Sequence, residues 1–268
     1  MPAGNDRMIP PLLEFNNVSV FNGGRQVLDA ISFTIDEGEH IAILGPNGAG
    51  KSSLIKTITR EFYPVLDRDN VVFRVRGHDI WDVFELRSAF GIVSNDLQQA
   101  CAREITGRDV ILSGFFSSIG LFNREISDEM EQKTDEILSF LGIGHISTKH
   151  MTEMSSGEAR RFLIGRALVH DPCTLILDEP TNSLDLHALH AFRQTLRKIA
   201  QSGKGIILVT HNLPDIIPEI SRVILMKDGR FVQNGRKDVV LTDQHIGNLF
   251  EVPVRVRKAG GYYYAMEE

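Results

Sequence analysis

The sequence predicts an α/β fold with a mainly parallel sheet, an N-terminal antiparallel β subdomain and an inserted helical subdomain. The apolar run at residues 40–44 indicates a buried strand, and a glycine-rich loop separates it from apolar residues at helical spacing in 53–58. Apolar strands at 175–177 and 205–209 alternate with helical stretches, as in a parallel sheet with helical crossovers. Residues 104–153 show helical periodicity, which predicts the inserted subdomain.

Antiparallel pairs are expected on either side of this core. Residues 13–20 and 27–35 have the alternation of strands, and the Asn-Gly-Gly at 22–24 is a strong turn signal between them. A second hairpin-like stretch covers residues 71–76, and residues 253–264 predict a terminal hairpin.

These patterns divide the chain into parts of a single domain, residues 1–268. We expect an α/β core made of residues 1–95 and 155–250, interrupted by a helical subdomain at 96–154. The remaining residues, 251–268, form the predicted C-terminal hairpin.

The composition is that of an ordinary globular enzyme. A net charge of −6 gives no electrostatic reason to expect nucleic acid as the main partner. Cys101 and Cys173 are too few and too far apart for a disulfide framework or a zinc pattern. Residues 1–11 lack the apolar core of a signal peptide, and no run reaches about 18 apolar residues. We therefore expect a cytoplasmic protein.

A complete G-x-x-x-x-G-K-[ST] loop occupies the turn between the first buried strand and its helix. Glycines let backbone N–H groups approach phosphate oxygens, and the N-terminus of the helix adds a partial positive charge. Lys51 would reach the β- and γ-phosphates, and the Ser52 hydroxyl would complete a Mg²⁺ shell. This context predicts a P-loop NTPase core that binds a nucleoside triphosphate. The predicted contacts are Gly45, Pro46, Asn47, Gly48, Ala49, Gly50, Lys51, Ser52 and Ser53.

Two acids follow the buried strand at 174–177, where a parallel sheet opens to its ligand. Asp178 is predicted to hold Mg²⁺, and Glu179 to orient and deprotonate a water in line with the γ-phosphate. His211 follows the next apolar strand and so comes to an adjacent strand end. We predict Glu179, His211 and Lys51 as the catalytic residues.

A Met-Ser-Ser-Gly-Glu motif at residues 154–158 stands directly before a predicted helix. By itself it indicates a helix cap, since serine is followed by Glu158. Together with the other motifs it resembles the L-S-G-G-Q signature of the ATP-binding-cassette (ABC) ATPase family. The resemblance runs from Phe15 to about Phe250, with its motifs in family order at 45–52, 154–158, 175–179, 183–185 and 211.

The resemblance implies that two cassettes face head to tail, each ATP lying between one P-loop and the other subunit's signature. Ser155 and the Gly157 amide would then contact the γ-phosphate in trans, and the Asp185 loop would cross the dimer axis. A homodimer is the simplest such pair. Phe21 stands where the family has an aromatic residue that stacks on adenine; the alternative is an ordinary core or edge-strand phenylalanine.

The chain departs from the family pattern in two places. The signature has Ser156 and Glu158 where glycine and glutamine are usual. Asn95 stands where the family has a glutamine at the start of the helical subdomain. Asparagine keeps the amide oxygen for a metal or water contact but is one methylene shorter. We favour Asn95 as the nucleotide- and metal-contacting residue, and Gln98 on a bulged loop is the alternative.

Transport is the first functional hypothesis. The resemblance implies that the chain powers a separate membrane permease that carries a small solute, from a peripheral position at the inner face of the membrane. The apolar stretch at 110–122 could line the docking groove for that permease or form the subdomain's own core. The stretch at 238–250 and the short tail resemble importer ATPases for iron complexes, cobalamin and molybdate.

The alternative hypothesis is an ABC ATPase that acts on nucleic acid or the ribosome. Arg255, Arg257 and Lys258 lie beside three tyrosines at 262–264, a combination that could stack on bases. A solvated terminal hairpin explains the same residues, and nucleic acid is the less favoured partner.

Overall fold

The computed structural model describes residues 10–65, 70–79, 83–182 and 184–267, without the side chains of Val83, Phe84 and Arg87. The strands are β1 (Leu13–Asn22), β2 (Arg25–Ile35), β3 (His40–Leu44), β4 (Val72–Val75), β5 (Phe90–Val93), β6 (Thr174–Asp178), β7 (Gly205–Thr210), β8 (Arg222–Lys227), β9 (Arg230–Arg236), β10 (Val254–Ala259) and β11 (Tyr262–Glu267). The helices are α1 (Lys51–Ile58), α2 (Val83–Ala89), α3 (Asn95–Cys101), α4 (Gly107–Ser113), α5 (Asp128–Leu141), α6 (Ser156–Leu168), α7 (Leu186–Gln201), α8 (Lys237–Val240) and α9 (Asp243–Phe250).

A six-stranded sheet in the order β5-β6-β7-β3-β8-β9 forms the centre of the molecule. Its pairs are parallel except for the edge strand β9, which runs antiparallel to β8. Every residue of β7 is buried, as expected for a strand covered by helices on both faces. The predicted α/β fold with a mainly parallel sheet is confirmed.

The N-terminal antiparallel sheet has the order β2-β1-β4. Gly23 and Gly24 close the β1–β2 turn with φ of 57° and 79°, which explains the glycine pair. The Phe15 ring lies with its centroid 5.1 Å from that of Phe33 and 4.6 Å from that of Phe73, so all three strands contribute to one aromatic cluster. The stretch at 71–76 is therefore the third strand of this sheet.

Between β5 and β6 lie the helices α3 to α6 and their loops. The Ser127 hydroxyl accepts a hydrogen bond from the Met130 N–H and begins α5, where the sequence predicts a helix start. Val110 and Ile111 are buried in the core that also contains Phe162, and Leu112 is buried as well. These residues are thus part of the helical subdomain's own core and do not line a docking groove, whereas Phe122 is 72% exposed.

The C-terminal strands β10 and β11 form an antiparallel hairpin. Val254 and Tyr263 are buried in the same core as Leu213, Ile216 and Ile217, which follow β7. None of the helices in the described part of the chain has the length and apolarity needed to cross a bilayer.

The contact between Gly107 and Phe162 gives a test of the helical subdomain. A Cβ added to Gly107 would lie 2.5 Å from Cε1 of the fully buried Phe162 ring. We expect Gly107→Ala to lower the free energy of unfolding by about 1–3 kcal/mol, because the ring has no room to move. Urea denaturation at 25 °C measures this.

The matched control is Gly144→Ala in the same subdomain, where an added Cβ meets no atom within 4 Å. Its free energy of unfolding should stay within about 0.5 kcal/mol of the parent. Equal losses in the two variants would contradict tight packing at Gly107.

Candidate nucleotide-binding site

A cavity of about 1020 Å³ opens at the carboxyl ends of the parallel strands, beside the N-terminus of α1. It collects predicted site residues that are far apart in the sequence. Those that line it are Asn47, Gly48, Gly50, Lys51, Ser52, Ser53, Asn95, Asp178 and Glu179. Asn22, Arg25, Gln26 and Val27 of the antiparallel sheet form another part of the wall.

The loop between β3 and α1 requires glycine for steric reasons. A Cβ at Gly45 would lie 2.2 Å from the Met226 carbonyl oxygen. Gly50 has φ of 102°, and its Cβ would lie 2.8 Å from the carbonyl oxygen of Val27. No side chain caps the N-terminus of α1, so its first N–H groups are available to an anion in the cavity.

Lys51 is only 4% exposed and is held by three oxygen atoms. Its Nζ donates to the carbonyl oxygens of Gly45 and Pro46, each at 2.9 Å, and lies 3.3 Å from Oε1 of Glu179. The ammonium group is therefore fixed over the loop, where it can bind phosphate oxygens.

Asp178 and Ser52 together offer oxygen atoms suited to a divalent cation. The Ser52 hydroxyl donates to Oδ2 of Asp178 at 3.1 Å. The other carboxylate oxygen, Oδ1, is buried and has no hydrogen-bond partner within the described residues. Burial raises the pKa of Asp178, and the hydrogen bond from Ser52 opposes that shift. A buried carboxylate with an unpaired oxygen beside a hydroxyl fits Mg²⁺.

Glu179 stands at the end of β6 in a left-handed backbone conformation, with φ of 47°. Asn182 donates to Oε2 at 2.7 Å, and Nδ1 of His211 lies 3.3 Å from Oε1. Burial acts to raise the pKa of Glu179, but the hydrogen bond from Asn182 and the positive charges of Lys51 and His211 outweigh it and lower the pKa. The carboxylate is thus ionised at neutral pH.

His211 is positioned by the buried threonine before it. The Thr210 hydroxyl donates to Oδ2 of Asp215 at 2.5 Å, and the Thr181 hydroxyl donates to the same oxygen at 2.6 Å. Asp215 therefore connects the loop after β6 to the end of β7. Sequence analysis missed Asp215; its only signal is an acid within the apolar run at 213–217.

Asn95 and Gln98 share one partner. Nη2 of Arg160 lies 3.1 Å from Oδ1 of Asn95, and its Nε lies 3.0 Å from Oε1 of Gln98. Asn95 lines the cavity, and Gln98 is not among the lining residues. Arg160 was not singled out from the sequence, where it follows the signature as one of two adjacent arginines.

Comparison with known proteins decides the family. The family model described as ABC transporter matches residues 28–182. The chain belongs to the ABC transporter family. It is 32% identical over 250 residues to the uncharacterized ABC transporter ATP-binding protein YlmA of Bacillus subtilis. The aligned residues make up 91% of this chain and 93% of YlmA.

Other ABC proteins agree with this assignment. The chain is 34% identical over 220 residues to ModF of Escherichia coli. The aligned residues make up 80% of this chain and 43% of ModF. Its fold matches cbiO1 of Clostridium perfringens with a TM-score of 0.72 and 26% identity, over 91% of this chain and 100% of that one. The structure of an ATP-binding cassette in its ADP conformation matches with a TM-score of 0.76 and 24% identity. The match covers 90% of this chain and 98% of that cassette. The chain is thus an ATP-hydrolysing subunit of the ABC transporter type.

The ABC signature lies outside the cavity, at the start of α6. Ser155 accepts from the Glu158 N–H at 3.2 Å, and Glu158 Oε2 accepts from the Ser155 N–H at 2.8 Å, which forms a capping box. A Cβ at Gly157 would lie 2.7 Å from the Ala188 Cβ, so α6 packs closely on the start of α7. Asp185 caps α7 and accepts from the Ala188 N–H at 2.7 Å. The predicted signature and Asp185 therefore lie next to each other.

Two other predicted contacts have mixed support from the structure. Phe21 is 46% exposed and does not line the cavity, but Asn22 beside it does. Its role toward adenine stays a prediction.

Among the tail tyrosines, Tyr263 is buried and the Arg193 guanidinium covers the Tyr262 ring at 4.6 Å, so neither ring is open to a base. Ser183 lies outside the described residues.

The hydrogen bond from Asn182 gives a pH test of the site. Loss of a donor to the ionised form raises a carboxyl pKa, so Asn182→Ala should raise the pKa of Glu179. We expect the acid limb of the kcat–pH profile to move to higher pH. Steady-state ATP hydrolysis between pH 4 and 9 measures the shift.

Asn234→Ala is the control. The Asn234 side chain accepts a hydrogen bond from Arg222, between β8 and β9, and does not contact Glu179. Its acid limb should coincide with that of the parent. An unchanged limb, or one moved to lower pH, in Asn182→Ala would contradict this electrostatic description of Glu179.

Proposed function

We propose that this ABC ATPase powers the transport of a small solute through a separate membrane permease, as a head-to-tail dimer with ATP and Mg²⁺ between the subunits. The observation that carries the proposal is the position of Glu179. Its carboxylate lies 3.3 Å from both Lys51 and His211, at the wall of the cavity beside the N-terminus of α1. A carboxylate base beside an ammonium group and an imidazole suits the attack of water on a phosphate.

The roles of the site residues follow from their contacts. The amides at the start of α1 and the Lys51 ammonium group bind phosphate oxygens. Mg²⁺ would be held by Ser52, Asp178 and Asn95, and when bound it neutralises charge on the phosphates. Glu179 accepts the proton of the attacking water, because its carboxylate is ionised at neutral pH. His211 orients that carboxylate and contacts the developing charge.

The site of one chain lacks the signature contact, which supports a dimer. Ser155 and Gly157 lie at a helix N-terminus outside the cavity of their own chain, and so would meet the nucleotide of a second copy. Leu186, directly after Asp185, is 87% exposed, and a second copy placed against the Asp185 loop would cover it. We propose that the partner is a second copy of this chain, which forms a homodimer.

The separate permease is inferred from the relatives. The cbiO1 structure is described as part of the ABC transporter complex cbiONQ, an assembly of several subunits. We propose the same arrangement here, with the chain peripheral at the inner face of the membrane. A relative from Sinorhizobium fredii is a Nod factor export ATP-binding protein, 34% identical over 241 residues, so the importer subtype stays a prediction.

The dimer is tested with Glu179→Gln, a change that blocks proton transfer and keeps the shape of the side chain. Size-exclusion chromatography with light scattering should show a dimer that forms only with ATP. Adding Leu186→Asp should abolish that dimer, because a charge would be buried in the interface.

Val239→Asp is the matched control, since Val239 is 60% exposed and follows β9, at the opposite sheet edge from β5 and β6. It should leave the ATP-dependent dimer intact. A monomer under every condition, or a dimer unaffected by Leu186→Asp, would contradict the proposed interface.

A further inference from the structure

Arg160 is a buried arginine for which the proposed mechanism has no role so far. It lies on α6, two residues after the signature, and is 3% exposed. Its Nη1 donates to the backbone carbonyl oxygen of Glu179 at 2.9 Å. The other two nitrogens donate to the amide oxygens of Asn95 and Gln98, at 3.1 and 3.0 Å. One side chain therefore connects α6, the end of β6 and the start of α3.

The acceptors of these hydrogen bonds are unusual for a buried guanidinium, because none of them is a carboxylate. All three acceptors are neutral amide oxygens. Burial lowers the pKa of Arg160 to about 10, and the negative charge of Asp215 opposes that shift. The group thus remains charged at neutral pH. Burying a charge without a hydrogen-bonded carboxylate costs several kcal/mol by general estimates, and an apolar side chain could pack α6 at lower cost.

The contact with Glu179 falls where the backbone needs support. A left-handed backbone conformation is strained in a residue other than glycine, because its Cβ crowds the neighbouring carbonyl oxygen. Glu179 has this conformation, and its N–H donates to the Val209 carbonyl oxygen at 2.8 Å. Arg160 holds the carbonyl group on the other side of the same residue. Both flanking peptides are thus fixed, and from this backbone the carboxylate contacts Lys51 and His211.

We propose that Arg160 is a positioning residue for Glu179, which ties the direction of its carboxylate to the signature helix and to the loop at Asn95. The inference rests on the proposed role of Glu179 as the base. It has a consequence for Asn95, whose amide oxygen is bonded to Arg160. That oxygen has a second lone pair, so it can bind a metal ion while it accepts from Arg160, and Gln98 has its own bond to the guanidinium.

The test compares Arg160→Met, which keeps the length and loses every donor, with Arg160→Lys, which keeps the charge but has no planar fork. Misplacing a base lowers kcat and leaves ground-state binding unchanged, so we expect kcat to fall about ten- to a hundredfold in Arg160→Met. The Kd for a fluorescent ATP analogue should change by less than about twofold. The kcat of Arg160→Lys should also be lower than that of the parent, since one ammonium group cannot reach all three acceptors.

Arg108→Met, on the helix α4 that packs against α6, is the matched control. Arg108 binds Glu131 and Asp135 on α5, away from the cavity. Its loss should lower the thermal midpoint and leave kcat unchanged. A fall in kcat equal to that of Arg160→Met would show a general effect of subdomain stability and overturn the proposal.

Combination with Glu179→Gln separates positioning from a structural role. Single-turnover hydrolysis should be no slower in the double variant than in Glu179→Gln alone, because no carboxylate is left to position. Additive losses would overturn the proposal, as would wild-type kcat in Arg160→Met. If Arg160→Met does not fold, the same rates are compared for Arg160→Lys, alone and combined with Glu179→Gln.

Wild-type hydrolysis in Glu179→Gln would refute the proposed function itself, whereas an inactive Glu179→Gln with an active Arg160→Met refutes only this inference.

Discussion

The parallel pairing of β3, β6 and β7 is the constraint on which the nucleotide site depends. Parallel strands end at the same edge of a sheet, so the residues that follow them meet although they are far apart in the chain. Leu44 pairs with Thr210 and Asp178 with Val209, which brings the phosphate loop, the two acids and His211 to one edge. The N–H of Glu179 continues the ladder to the Val209 carbonyl oxygen, and the chain then turns sharply.

The electrostatics of the site follow from that edge. Lys51 is buried among carbonyl oxygens and the Glu179 carboxylate, which balances its charge. The two neighbouring acids differ in environment. Asp178 is buried with one unpaired oxygen and has a raised pKa, whereas Glu179 faces cations and an amide donor and has a lowered pKa. One carboxylate thus suits a metal ion and the other suits the removal of a proton.

A second layer of polar residues connects this edge to the rest of the molecule. Asp215 joins the segments after β6 and β7 through two threonine hydroxyls, and Arg160 joins the end of β6 to the helical subdomain. Both are buried, and for both the hydrogen-bonding atoms come from separate parts of the chain. The Arg160 hydrogen bonds thus form a directional contact between α6 and the end of β6.

The sequence alone determined the sheet type, the phosphate loop, the acids at the end of β6 and the family, because those features are local: a motif, a strand run, a periodicity. It could not assign the apolar residues at 110–112, since periodicity shows that a face is apolar and not what covers it. Only the tertiary structure showed that Asn95 and Gln98 share Arg160, and that Asp215 receives two hydroxyls. Such contacts join residues whose numbers differ by 5 to 65, so their geometry exists only after the sheet and the helices have packed.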